Sequence, residues 1–338
     1  MKRLSITSND SVLITNPTNI LYLTGFVGVE RRDAYVLVTK NKTYLFTTSL
    51  YLEAAQKLNV TVIEISREKP IEQELSKLVK TVAFEENDIT VAEYNKLKKL
   101  LRLKPAKNRI EKMRMIKRED EIAKIKLAAK ITDACFTYIV KRIRTGVTEA
   151  RLAWEIEGFF KYRAGDVAFS PIVAFNENSS KPHYNSRSNN PLRKNSLILL
   201  DFGARVNGYC ADMTRVVFLG KPKAEWVKAY DAVLQAQQAA ISSNSRSGAE
   251  RDRIARESIQ KSGFDPYAHS LGHNVGLDIH ESPRLSIKKD ANLLPGMVFT
   301  IEPGVYIEGQ FGIRIEDLVL LKATGIEILS HSSYNTFV

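Results

Sequence analysis

Cysteine and histidine are scarce in this chain of 338 residues: there are two cysteines, Cys135 and Cys210, and five histidines. Two cysteines exclude both a disulfide framework and a thiolate metal cage, and they suit a reducing cytosol. Apolar runs are short as well, and none approaches the roughly 18 residues that a membrane span needs. The opening segment, residues 1–10, is basic without an apolar stretch, so no secretory signal is expected. What is present is 44% hydrophobic and 26% charged residues, an ordinary globular composition that excludes a disordered or collagen-like chain. At about 150 residues per domain the length predicts two domains. Lys and Arg outnumber Asp and Glu by 50 to 38, a net +12 at pH 7. That balance permits an acidic partner without requiring one. Residues 96–126 alone hold 13 basic residues against four acidic ones, so most of the excess is local. A basic stretch of this kind is more often a solvated face than a nucleic-acid footprint.

Residues 11–14, 35–38, 43–46 and 60–63 are short, β-branched and bounded by turn-forming residues, and they read as strands; 49–58 and 70–80 suit helices between them. These predict a small N-terminal α/β domain that ends near Pro105 to Lys112. Beyond it, Ile122, Ile125, Ala129, Thr132, Phe136 and Ile139 recur at steps of three and four, the stripe of a long helix closed by Gly146. Further helices are expected over 148–162, over 223–243, and from a capping box at Ser247-Gly248-Ala249-Glu250 to Gly263. Strands are expected at 196–206, 209–219, 297–302, 312–322 and 326–330.

The chemistry-bearing residues lie in this second part. Asn207-Gly208 joins two apolar runs, the strongest short-range signal of a hairpin, because a type I′ turn needs positive φ at both central residues. If Val206 faces Tyr209, Asp201 faces Thr214, and Asp212 lies diagonal to Asp201 on the same face. Two carboxylates in apolar strands are either exposed near the turn or neutralised by a cation, and the run Leu197 to Leu200 favours the cation. His269, His273 and His280 fall within twelve residues; singly, each is as ordinary a surface or core histidine as a ligand. Glu302 ends an apolar strand and has a plain surface reading of its own. Arg314 and Glu316 share one face of the next strand. Jointly, the Asp, Asp, His, Glu and Glu set makes five oxygen and nitrogen donors without thiolate, suited to two ions of Mn²⁺, Co²⁺, Zn²⁺ or Fe²⁺.

In these segments the chain resembles the pita-bread (creatinase/aminopeptidase-like) metallopeptidases, in their prolidase and Xaa-Pro aminopeptidase branch. The resemblance covers nearly the whole chain. It includes Asn19–Phe26, Met115–Ile122, Lys181–Tyr184, the Asp201/Asp212 hairpin, His269–Glu281, Thr300–Gly304 and Ile313–Asp317. It implies an α+β chain: a smaller creatinase-like α/β domain over residues 1–112, then a catalytic pita-bread domain over 113–338, a curved antiparallel sheet covered by helices. It implies two divalent metal ions per subunit, Mn²⁺ or Co²⁺ ahead of Zn²⁺ or Fe²⁺. Asp201 would chelate one, His273 with Glu302 the other, and Asp212 with Glu316 would bridge them. The implied reaction is hydrolysis of the N-terminal Xaa-Pro bond of dipeptides or short peptides by a metal-bridging hydroxide, with Glu302 as proton shuttle. His269 and His280 resemble the residues that bind substrate and the oxyanion, and His183 the one on the proline side. Arg284 resembles an arginine that reaches the substrate carboxylate in some prolidases. Arg314 is either an orienter of substrate or bridging carboxylate, or a counter-charge for Glu316. Position 274 is Asn where a Gly-His-Gly pattern is common.

By the same resemblance the partners are short proline-containing peptides and a second copy of the chain in a homodimer; the cysteine usage, the short apolar runs and the local basic stretch point to a cytoplasmic chain without membrane or nucleic acid. Two other readings compete. A methionine aminopeptidase-type exopeptidase shares the ligands but not the N-terminal domain. A non-catalytic binding protein on the same fold would have shed ligands that are kept here.

Overall fold

A computed structural model describes residues 11–186, 188–334 and 337–338; the expectation for residues 1–10 lies outside them. The chain divides into two compact units, one ending at Met113 and the other running from Arg114 to Val338.

The first unit contains β1 (Val12–Ile14), α1 (Pro17–Thr24), β2 (Ala34–Val38), β3 (Thr43–Thr47), α2 (Leu52–Ala55), β4 (Thr61–Glu64), α3 (Ile71–Leu78), β5 (Thr81–Phe84), α4 (Val91–Lys98) and β6 (Arg102–Pro105), and α5 (Arg109–Met115) closes it. The last two residues of α5, Arg114 and Met115, already belong to the second unit. The six-stranded sheet of the first unit has the order β4-β3-β2-β1-β5-β6 and mixes parallel with antiparallel pairs. Leu13, Leu37, Phe46, Leu75, Val82 and Leu97 form its core. The expected helix over 49–58 is instead a 3₁₀ turn at Ser49–Tyr51 followed by the four-residue α2. The segment buries only Ala55 and has no apolar stripe to dock. β6, unforeseen, lies within the basic stretch as an edge strand whose cations stay largely in water, which blunts edge-to-edge pairing.

The second unit contains α6 (Glu119–Val140), α7 (Glu149–Arg163), β7 (Asp166–Val167), β8 (Ile172–Phe175), β9 (Ser196–Phe202), β10 (Ala204–Val206), β11 (Tyr209–Cys210), β12 (Met213–Leu219), α8 (Ala224–Ser242) and α9 (Gly248–Lys261). There follow β13 (Gly272–Asn274), β14 (Glu281–Leu285), β15 (Val298–Ile301), β16 (Gly304–Ile307), β17 (Phe311–Arg314), β18 (Asp317–Lys322) and β19 (Gly325–Ile328). Among the described residues its strand pairs are all antiparallel, in the orders β11-β10-β7, β12-β9-β8, β14-β13-β15-β18-β19 and β16-β17. Phe218, Trp226, Val233, Phe299, Phe311 and Val319 join α8 to the strands in one apolar core. This is the antiparallel sheet with covering helices of the pita-bread fold.

Three expectations are corrected in detail. The strand expected at 312–322 is two strands in different sheets, because Glu316 between them pairs with Thr214 instead. The strands expected at 196–206 and 209–219 are each interrupted, at Gly203 and at Ala211-Asp212. The Ser247 cap is half a capping box: its Oγ accepts the Glu250 N–H at 3.0 Å, while the Glu250 carboxylate turns to Arg253.

Candidate metal centre and active site

The hairpin has the expected register. Asn207 and Gly208 take φ of +50° and +85°, Val206 faces Tyr209, and Asp201 faces Thr214. Gly203 is required by close approach, since a Cβ there would sit 1.8 Å from the Ala211 carbonyl oxygen. The strands part at that point, and Asp212 occupies the break. Gly272 serves His273 in the same way: a Cβ would lie 1.9 Å from the Thr300 carbonyl oxygen. β13 therefore packs hard on β15, and the His273 N–H donates to Thr300 Oγ1 at 3.1 Å. Glu302 follows directly after β15. Glu316, between β17 and β18, accepts from Thr214 Oγ1 at 2.6 Å and donates its N–H to the Thr214 carbonyl at 3.1 Å.

Asp212, His273 and Glu316 each bring one ligand atom to within 4.8 Å of the others. His273 Nδ1 lies 3.2 Å from the Asn274 carbonyl, which fixes its proton there and leaves Nε2 bare. Burial depresses this imidazole to about 3. The bare Nε2 faces Glu302 Oε1 at 3.5 Å and Asp212 Oδ2 at 3.7 Å, so acceptors point at acceptors. Asp201 Oδ1 is buried with no hydrogen-bond partner. Burial first, and the neighbouring carboxylates next, push Asp212 and Glu302 well above their ordinary range and raise Glu316 to about 7; burial likewise raises Asp201. Four carboxylates thus crowd a site that holds one buried guanidinium, Arg314. Oxygen and imidazole donors, an orphaned oxygen and facing lone pairs fit divalent cations.

All ten residues singled out from the sequence (His183, Asp201, Asp212, His269, His273, His280, Arg284, Glu302, Arg314 and Glu316) line one cavity of about 380 Å³, with Phe169, Ile172, Pro182 and Ile279 as its apolar wall. Their exposure differs: the five acidic and imidazole donors are largely buried, whereas His183, His280 and Arg284 are open to solvent. The His280 and His273 rings meet edge to face at 4.4 Å. Arg314 pairs with Asp201, donates from Nε to Thr214 Oγ1 at 3.0 Å, and donates from Nη1 to the Tyr306 hydroxyl at 3.1 Å. Its ion partner is therefore Asp201, and Glu316 is reached only through Thr214.

His269 is held at both ring nitrogens. Its Nδ1 must donate to the Ser270 carbonyl at 2.8 Å, and its Nε2 lies 3.2 Å from the Tyr306 hydroxyl. Burial lowers its pKa to about 4, and with Nδ1 donating, Nε2 of the neutral ring accepts from the Tyr306 hydroxyl. Asn274, the departure from the Gly-His-Gly pattern, is fully buried and donates from Nδ2 to the Ser282 and Met115 carbonyls at 3.0 and 3.2 Å. It ties β13 down beside the ligand.

Sequence reasoning missed Thr214, Tyr306 and an ionic cluster behind His280. Glu281 Oε2 lies 3.1 Å from Lys117 Nζ, and Oε1 lies 2.5 Å from Arg114 Nη2, which also reaches Asp278 at 2.6 Å. Glu281 Oε1 further accepts the Leu277 N–H at 3.0 Å. Thr214 had a signal, its register opposite Asp201. Tyr306 had none.

Fold and donor set define a metal-dependent hydrolase of the pita-bread class. Comparison with known proteins carries this further. The profile of metallopeptidase family M24 matches residues 123–323, and that of the creatinase/prolidase N-terminal domain matches residues 2–116. The uncharacterized peptidase YqhT of Bacillus subtilis is 34% identical over 96% of this chain and 94% of its own. The Xaa-Pro dipeptidase from Bacillus anthracis superposes with a TM-score of 0.92 at 33% identity, covering 97% of this chain and 95% of that one. The X-Pro aminopeptidase from Thermotoga maritima gives a TM-score of 0.89 at 35% identity, with 98% of both chains covered. The chain belongs to metallopeptidase family M24, in its pita-bread prolidase branch, and is a metallo-exopeptidase with a divalent metal cofactor.

Proposed function

We propose that this peptidase hydrolyses the N-terminal Xaa-Pro bond of dipeptides or short peptides with a pair of metal ions. The observation that carries the reading is the convergence of four buried carboxylates and a bare imidazole nitrogen in one cavity beside an apolar wall. Asp201, Asp212, His273, Glu302 and Glu316 would hold the ions. Bound there, divalent cations supply the Lewis acidity that makes water nucleophilic at neutral pH.

The remaining work falls to the chain. Glu302 accepts the proton of the attacking water and hands it to the departing prolyl nitrogen. His183 and the apolar wall receive the pyrrolidine ring, His280 hydrogen-bonds the substrate, and Arg284 attracts its carboxylate. Arg314 orients Asp201, and His269 and Tyr306 brace that guanidinium from the other side. A tertiary prolyl amide has no N–H, so selection rests on ring shape. The match of residues 2–116 to the creatinase/prolidase N-terminal domain favours this reading over a methionine aminopeptidase. A cytoplasmic homodimer acting on short peptides, with Mn²⁺ or Co²⁺ and no nucleic acid, completes the proposal; both cysteines are free and buried.

The test is hydrolysis of Ala-Pro after exhaustive chelation. Activity should vanish and return with Mn²⁺ or Co²⁺; chelator-insensitive turnover would sink the metal mechanism. Equal rates on Ala-Ala would reject proline selection.

A further inference from the structure

A second cavity, of about 540 Å³, adjoins the catalytic one in the same unit. The two share His269, Ser270 and Arg284 in their linings, so a chain leaving one enters the other past Arg284. Their charge is opposite in sign. The catalytic cavity gathers Asp201, Asp212, Glu302 and Glu316. The second gathers Arg284, Lys288 and Lys289 against a single acid, Asp290. That acid is already engaged: its Oδ1 accepts from Ser247 Oγ at 2.7 Å, from the Ala249 N–H at 3.0 Å and from the Ala291 N–H at 2.8 Å. Among the described residues no carboxylate pairs with Arg284, Lys288 or Lys289.

The wall that presents the lysines is also pinned. The Ile287 N–H donates to buried Asp252 Oδ2 at 2.9 Å, and the Lys289 N–H donates to the Ser286 carbonyl at 3.3 Å. Arg284 on β14 and two lysines on a pinned loop outnumber the single acid, Asp290, at the exit of an acidic cavity, and they form a field that orients a peptide: amine toward the carboxylates, carboxylates toward the lysines.

We propose that this second cavity is a subsite for the substrate downstream of the scissile bond, selective for a carboxylate at the third position. The carboxylate is that of an acidic side chain. The inference rests on the peptidase reading above and names its substrate class: short peptides with an acidic residue after the proline, in addition to the dipeptide. Arg284 marks where a dipeptide ends, and Lys288 and Lys289 serve what lies beyond.

The experiment compares kcat/KM of the metal-loaded enzyme on Ala-Pro, Ala-Pro-Glu and Ala-Pro-Lys, for the natural chain and for the Lys288→Glu/Lys289→Glu double variant. Exposed charges screened by water act modestly, so a preference of about five-fold for Ala-Pro-Glu over Ala-Pro-Lys is expected. It should shrink in high salt and vanish or invert in the double variant. Ala-Pro turnover should stay unchanged, which also reports that the variant is folded. Cleavage of Ala-Pro alone, or tripeptide rates indifferent to charge in both proteins, overturns the subsite and leaves the peptidase reading standing. Failure to cleave any Xaa-Pro bond overturns both.

Discussion

A guanidinium shut away from water must find its charge partner inside the protein, and Arg314 finds it in Asp201. Removing one member of a buried ion pair leaves the other uncompensated, typically at a cost of about 3–5 kcal/mol. Arg314→Met should therefore destabilise the metal-free protein by about 3 kcal/mol in urea unfolding; a shift under about 1 kcal/mol would show that Asp201 is not committed to the pair. The variant should also slow Xaa-Pro hydrolysis, because Thr214 and Tyr306 lose the donor that orders them. At this scale much of the site was legible in the sequence. Each of the five acidic and imidazole donors is an ionisable group set in an apolar strand or a glycine-rich segment, where such a group needs a reason. The partner of Arg314 was not legible. Strand alternation placed it on the face of Glu316, but the contact it makes crosses from β17 to a strand more than a hundred residues earlier. Tyr306 stayed hidden because a tyrosine in a strand is ordinary, and Thr214 was marked only by its register opposite Asp201.

The elements around the site owe their shape to interruptions. Asn207-Gly208 announced the hairpin, and its register followed from one pairing. The breaks at Gly203 and Glu316 did not announce themselves, since apolar residues resume shortly beyond both. They arise from pairing across sheets, Ala211 packed on Gly203 and Glu316 on Thr214. The loop carrying His280 is held by another such long-range tie. Burial alone would raise the Glu281 carboxyl, but Lys117 and Arg114 more than offset this and hold it below its ordinary value of 4.5. A carboxyl lowered by folding contributes stability above that value, and the contribution is lost as pH falls through the lowered one. Glu281→Gln should cost several kcal/mol near neutrality, on the order of 3. The gap from the natural protein should narrow as urea unfolding is taken below pH 4.5. A gap independent of pH would assign the loss to packing rather than charge. The same pairing accounts for part of the basic stretch: Arg114 and Lys117 are buried counter-ions, not a face for an acidic partner.

For the whole molecule the decisive balance is between the carboxylate cluster and what neutralises it. In the folded chain Glu316 is raised from 4.5 to about 7, and Asp212 and Glu302 lie well above their ordinary range. The unfolded chain releases these protons at ordinary carboxylate values, so between pH 4.5 and about 7 the folded state binds more of them. Stability of the metal-free protein must therefore fall as pH rises through that window. Divalent cations bind the ionised form and only the folded arrangement, so they stabilise by mass action, about 2.7 kcal/mol at a hundred times Kd. Protons compete with them below the window and not above it. The melting temperatures of stripped and Mn²⁺-loaded protein should then lie close together at pH 5 and move apart by pH 7.5, the stripped form melting several degrees lower. His273 does not blur this, because its pKa near 3 keeps it neutral at both values. A separation that is the same at both pH values would mean that the four carboxylates are relieved by some other cation than the metal, and the ligand assignment built on their crowding would fall with it.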